Sequence, residues 1–220
     1  MSLLPAKADT YTFNTDHCSG GGCGTGIGEV LVTQNGAGTV SIDVKPLLTG
    51  FEFVSSGAGT PSKGPDKGVD GQFFFNIQAV SGGNADNPTI SVSNLTAGWE
   101  LVSTTAGSYA GDGLSEEFEY ALTCNFSGGA CSGGGASNPA SLPLKFDLTA
   151  TGLTPTSFDD PGGTSGVNTA EFAADVIANG NTGLIGASLT SVVPEPATLL
   201  PLSGLLFGMG IVVRKRIARD

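Results

Sequence analysis

The residues best suited to catalysis are few, and they centre on the single histidine of the chain, His17. A serine or cysteine nucleophile activated by an imidazole base would depend on this one side chain. His17 directly precedes Cys18, a cysteine that we expect to form a disulfide. The segment Gly-Thr-Ser-Gly at 163–166 is one residue short of the Gly-x-Ser-x-Gly elbow of serine hydrolases. We therefore predict no catalytic residue, no cofactor and no enzymatic activity.

The four cysteines form two local pairs, and glycine-rich segments separate the members of each pair. Glycine lets the chain fold back far enough to bring two Cα atoms within disulfide range. Four cysteines allow three connectivities. In an oxidising compartment we predict Cys18–Cys23 and Cys124–Cys131. The alternative is a zinc site with His17 as an extra ligand, but the spacings do not match the Cys-x2-Cys knuckles of structural zinc. We predict no metal site.

Acidic side chains are the other group that could do chemistry. Neighbouring carboxylates occur at Glu116-Glu117-Glu119 and at Asp159-Asp160, and a pair of carboxylates can cleave a glycosidic bond. Aspartates in glycine-rich segments could instead be ligands of calcium, although none of these segments follows the twelve-residue calcium-loop pattern. These aspartates are Asp66, Asp70, Asp112, Asp159 and Asp160. In so acidic a chain such neighbours are expected by chance, and solubility is the simpler role.

The charge distribution excludes nucleic acid as a partner. Between Asp9 and Val193 the chain has 18 acidic residues against four lysines, a net charge of about −14. No arginine occurs before Arg214. A body with this charge repels phosphate backbones, and it lacks the side chain that most often reads guanine.

Short segments of alternating polarity must position these groups. Alternation of period two occurs at 29–33, 39–44, 89–93 and 144–148, and aromatic runs such as 73–75 suit strands with one buried face. Residues 171–177 and 184–189 flank the turn Asn179-Gly180-Asn181-Thr182-Gly183 and predict a hairpin. About ten short strands, separated by glycine- and proline-rich turns, predict an all-β fold. We expect an antiparallel β-sandwich-like body over residues 9–193.

The C-terminal residues 194–220 differ from the body in composition. Ala197 to Val213 is a run of 17 residues without charge. As a helix it would span roughly 25 Å, slightly less than a hydrocarbon core about 30 Å thick. The basic residues Arg214, Lys215, Arg216 and Arg219 follow it. Such a cluster after an apolar run is a stop-transfer signal that places the C-terminus in the cytoplasm. A buried core helix is the alternative, but it gives no reason for the basic end. We predict a single C-terminal transmembrane helix with the body outside.

The tripeptide Pro194-Glu195-Pro196 precedes the apolar run, and its two prolines keep the segment extended. Together, the short motif, the apolar helix and the basic end resemble the PEP-CTERM sorting tail of Gram-negative bacteria. One departure is Pro201, since the family usually has Leu, Gly and Ala in the apolar run. The resemblance implies that an exosortase, a membrane-embedded cysteine protease or transpeptidase, recognises Pro194 to Pro196. Exosortase systems accompany exopolysaccharide production, so it also implies a partner in the extracellular polysaccharide or biofilm matrix.

An exported protein needs an entry signal, and residues 1–8 contain only the end of one. Ala6-Lys7-Ala8 has the small-x-small form of a signal-peptidase site. Too few residues precede it for a charged start followed by an apolar stretch of 7–15 residues. We interpret residues 1–8 as the remnant of a signal peptide and expect the true start codon upstream.

These features predict an exported protein that is first anchored in the inner membrane with a periplasmic body. After processing it would lie at the cell surface or in the extracellular matrix. The leading hypothesis is a non-catalytic structural or interaction domain. The alternative is a carbohydrate-binding module, in which exposed aromatic side chains such as Trp99, Tyr109 or Tyr120 would stack on sugar rings. A secreted hydrolase is the third class.

Overall fold

The computed structural model describes residues 7–55, 71–78, 88–106, 109–110, 117–132, 135–141, 143–159 and 170–193. This part of the chain is all-β, as predicted, and its strands pair antiparallel. None of its helical segments is long and apolar enough to cross a membrane. The predicted sorting tail, including Ala197 to Val213, lies outside the described residues.

The described residues form fourteen strands and one 3-10 helix. The strands are β1 (Ala8–Cys18), β2 (Gly28–Gly36), β3 (Thr39–Pro46), β4 (Glu52–Ser55), β5 (Phe73–Phe75), β6 (Ser91–Ser93), β7 (Glu100–Leu101), β8 (Tyr109–Ala110), β9 (Glu117–Phe118), β10 (Tyr120–Thr123), β11 (Gly135–Ala140), β12 (Leu144–Thr149), β13 (Phe172–Ala178) and β14 (Asn181–Val193); the 3-10 helix is η1 (Pro155–Phe158). Twelve strands form one sheet in the order β6-β12-β3-β2-β1-β14-β13-β5-β10-β7, with β4 on β13 and β11 on β4. β8 and β9 form a separate pair.

Most buried side chains form one large core rich in aromatic rings, and a second, smaller cluster consists of Phe74, Phe118, Ala121, Ala173 and Leu184. Along β3 and β12, and along β2 as far as Val32, every second residue is buried, as alternation of period two predicts. The ring of Phe146 in β12, near one end of the sheet, lies 6.0 Å from that of Phe73 in β5, near the other end. Phe73 also stacks on Phe172 of β13 at 5.8 Å. Twelve strands of the expected sandwich-like body therefore belong to one continuous sheet that bends around its core, and only β8 and β9 lie outside it.

The predicted hairpin near the end of the body is present, but its turn is shorter than predicted, because Asn181, Thr182 and Gly183 already belong to β14. The ladder between β13 and β14 extends from the pair Ala178–Asn181, next to the turn, to the pair Phe172–Ala187. The turn between them is Asn179-Gly180, and both residues have positive φ, 52° and 78°. A two-residue type I′ turn requires such values at both positions, and Asn-Gly is the sequence that adopts them most readily.

The first and last strands lie side by side and define the two ends of the domain. The ladder between β1 and β14 extends from the pair Ala8–Val193 to the pair Cys18–Gly183. We call the end with Ala8 and Val193 the base; it also contains η1 and the β2–β3 turn. The opposite end, with Cys18 and the exposed segment 46–50, is the tip. Lys7, the residue before β1, is joined to β2, since its carbonyl oxygen accepts the Gln34 N–H at 2.9 Å.

Candidate functional site

Both predicted disulfides are present. The Cα atoms of Cys18 and Cys23 are 5.5 Å apart, and those of Cys124 and Cys131 are 5.1 Å apart. These distances lie in the ordinary disulfide range. Closing loops this short stabilises the fold by about 2–3 kcal/mol each in the chain-entropy model. Cys124 and Cys131 are fully buried, whereas Cys18 is partly exposed at the tip. Disulfides of this kind are typical of an oxidising, extracytoplasmic compartment.

A carboxylate orders the disulfide loop at the tip. Asp16 accepts the N–H of Cys18 at 2.9 Å through Oδ1 and the N–H of Gly24 at 2.7 Å through Oδ2. Burial raises the pKa of Asp16, but these backbone donors, with that of Cys23 and the nearby His17, bring it below its usual value. The loop is thus held by a charged acceptor as well as by its disulfide.

Two asparagines of the β13–β14 hairpin complete the tip. Asn179 Nδ2 donates to the carbonyl oxygen of Cys23 at 2.7 Å, and Asn181 Nδ2 donates to that of Gly22 at 2.7 Å. Gly22 has a φ of 88°, and a Cβ there would lie 2.6 Å from Asp16 Oδ2. A side chain at this position would therefore strain the backbone and displace the carboxylate.

The tip holds the one group of convergent metal-ligating side chains among the described residues. Ligand atoms of Asp16, Cys18 and Cys23 lie within 4.8 Å of one another. The two sulfur atoms are bonded to each other, and zinc binds thiolates, so the oxidised loop does not offer a zinc site. The chemistry of this arrangement is structural: it fixes a glycine-rich loop.

A second polar cluster lies at the base, where β1 meets η1. The side chain of Asp9 is fully buried, and neither of its carboxylate oxygens has a hydrogen-bond partner. Its ion-pair partner is Lys7, whose Nζ lies 3.6 Å from Oδ2. The hydroxyl of Tyr11 donates to Asp159 Oδ1 at 2.7 Å. Burial, opposed by Lys7 and reinforced by Asp159, raises the pKa of Asp9.

Asp9→Asn is expected to stabilise the protein at neutral pH. Because the pKa of Asp9 is raised above its unfolded value of 3.8, the folded state prefers the protonated form. Its contribution to stability is therefore present in acid and is lost as the pH rises from about 4 through the folded-state pKa. Asparagine removes this loss. Urea unfolding from pH 4 to 8 should show the variant gaining stability over wild type as the pH rises.

Lys7→Met is the matched control for this prediction. It removes the positive charge that offsets burial of Asp9, so it should lower stability at neutral pH and leave it unchanged in acid. If Asp9→Asn instead destabilises the protein at pH 7, the ion pair with Lys7 outweighs the cost of burying the carboxylate. The prediction that buried Asp9 lowers stability at neutral pH is then wrong.

Of the carboxylates considered for calcium or for hydrolysis, none belongs to a group of three metal-ligating side chains in the described part of the chain. Asp159 is bonded to Tyr11 and belongs to no group of three metal-ligating side chains there. Four of the five candidate calcium aspartates, Asp66, Asp70, Asp112 and Asp160, lie outside the described residues, as does Glu116.

The aromatic residues considered for sugar stacking are largely in the core. Trp99 is only 6% exposed, and its ring lies 4.8 Å from that of Phe53 in an edge-to-face arrangement. Tyr120 is fully buried; its ring stacks on Phe75 and its hydroxyl donates to the carbonyl oxygen of Pro88. The carbohydrate-binding alternative requires exposed aromatic side chains, and these two are buried because the bent sheet needs large rings to fill its interior. The side chain of Tyr109 lies outside the described residues.

The predicted sorting motif, Pro194-Glu195-Pro196, begins at the residue after β14 and lies outside the described residues, as does the basic cluster. Comparison with known proteins adds no family: no family model matches the chain, and no curated protein or solved structure matches it either.

Proposed function

We propose that the protein is an exosortase substrate: an exported protein whose C-terminal tail holds it in the inner membrane until the tail is processed. The observation that carries the proposal is the order of three features in 27 residues, 194–220. Pro194-Glu195-Pro196 comes first, an uncharged run follows, and a basic cluster ends the chain. An apolar run followed by arginine and lysine favours a membrane helix with a cytoplasmic end.

The body fits the role of a non-catalytic structural or interaction domain. Two disulfides suit an extracytoplasmic compartment. The strand order brings Val193 to the base, beside the start of β1, so the tail leaves the domain at one defined end. The sugar-stacking alternative has less support, since Trp99 and Tyr120 are buried. A polysaccharide of the extracellular matrix remains the partner that the resemblance implies.

Deletion of residues 214–219 tests the membrane anchor. These residues contain all four basic residues after the apolar run, and without them nothing opposes passage of the run through the membrane. In fractionated cells that lack exosortase, the full-length protein should move from the membrane pellet to the periplasmic or secreted fraction.

The matched control replaces Arg214, Arg216 and Arg219 with lysine, which keeps the charge and should keep the protein in the membrane. If the deletion variant stays in the membrane pellet as fully as this control, the basic cluster is not a stop-transfer signal.

A further inference from the structure

The sheet continues to the last residue before the sorting motif. β1 and β14 pair through Thr10 and Ser191, Asp9 and Val192, and Ala8 and Val193. Side chains reinforce this end of the ladder: Thr190 Oγ1 donates to the carbonyl oxygen of Thr10 at 3.0 Å. Pro194 follows Val193 directly, so no residue of free linker separates the sheet from the motif.

This junction restricts how an enzyme can bind the motif. Enzymes that bind extended peptides commonly pair with the peptide main chain, as an added strand pairs with a sheet edge. On the N-terminal side of Pro194, the main chain of residues 191–193 already pairs with β1. These residues become available only if the end of β14 separates from β1, and such local opening costs free energy.

The surface around the junction is suited to close approach. The turns nearest to it at the base, 35–38 and 151–152, consist of small or uncharged residues, and Ala150 N–H donates to the carbonyl oxygen of Gly38 at 3.0 Å to hold the two turns together. Beside the junction, Lys7 is partly exposed, and its Nζ lies 3.6 Å from Oδ2 of the buried Asp9.

We propose that the β1–β14 junction determines which residues the exosortase can bind. The enzyme recognises Pro194 and the residues after it, while the base of the body stays folded against the outer surface of the enzyme. This inference rests on the proposed function, because it concerns processing by that enzyme. The folded sheet takes the place of a linker on the N-terminal side of the motif.

A disulfide across the junction tests this directly. Ala8→Cys with Val193→Cys joins two residues that are partners in the ladder, and antiparallel partners lie within disulfide range. In cells with exosortase, the locked full-length chain should be processed to the same extent as wild type and as the Ala8→Cys single variant. Loss of processing in the locked chain alone, with recovery on reduction of isolated membranes, would show that β14 must open, and would overturn this inference but not the proposed function. Absence of processing in all three would overturn both.

Limited proteolysis provides a readout that does not involve the exosortase. The purified full chain in detergent, treated with proteinase K, should give a resistant core whose C-terminus lies at or just after Val193. Insertion of a Gly-Ser linker after Val193 should add a rapidly cut site and leave the same core. A wild-type core that ends before Ser188 would mean that the end of β14 opens readily, and would overturn the inference whatever the enzyme does.

Discussion

Phe73→Ala is expected to lower the free energy of unfolding by about 3–5 kcal/mol, the usual range for removal of a buried phenylalanine ring. Phe73 is fully buried in β5 and joins the parts of the bent sheet. Its ring contacts Phe53 of β4 at 6.3 Å, Phe146 of β12 at 6.0 Å and Phe172 of β13 at 5.8 Å. Removing it leaves a cavity that three rings from different strands cannot fill together.

The loss can be followed with the single tryptophan of the chain. Trp99 packs against Phe53, a direct neighbour of Phe73, so its fluorescence should report urea unfolding of the core. Leu47→Ala is the control, because Leu47 is 51% exposed at the tip and should cost little. If Phe73→Ala does not fold, Phe73→Leu provides a measurable intermediate. Equal losses for Phe73→Ala and Leu47→Ala would show that the sheet does not close over this core.

Much of the fold follows from local sequence signals. Alternation in 39–44 and 144–148 identifies β3 and β12, and Asn179-Gly180 identifies the hairpin, because its two positive φ values are available to few other pairs. The joining of the strands into one continuous sheet is a long-range property. The contact between Phe146 and Phe73 depends on residues 73 positions apart, and no local pattern records it.

The two disulfides could be predicted because each closes a short glycine-rich loop, so that local geometry decides the pairing. Burial of Trp99 and Tyr120 could not be predicted, since aromatic residues suit a core and a sugar-binding face equally well.

The roles of Asp9 and Asp16 were also missed. Asp16 has a weak signal, its position just before a Cys-Gly-rich loop whose N–H groups need an acceptor. For Asp9 the signal is the alternation of period two in β1, because Asp9, Tyr11 and Phe13 share the buried face of that strand.

Glu195→Ala is expected to abolish processing of the tail without preventing export. Under the proposed function, the one carboxylate of the Pro194-Glu195-Pro196 motif, that of Glu195, is the group that a basic pocket of the exosortase would bind. Truncating one partner of a buried, hydrogen-bonded charge pair costs about 2–5 kcal/mol, enough to reduce the processed form to a trace. Thr198→Ala is the control, because it also truncates a polar side chain of the tail to alanine, but outside the motif and without loss of charge.

The most direct test is an immunoblot of fractionated cells that express wild type, Glu195→Ala or Thr198→Ala, each with and without exosortase. We expect wild type and Thr198→Ala to lose the tail and leave the membrane pellet only when the enzyme is present, while Glu195→Ala remains full-length in the pellet in both strains. If wild type and Glu195→Ala are processed alike, or if no full-length form ever pellets with membranes, residues 194–220 are not a sorting signal.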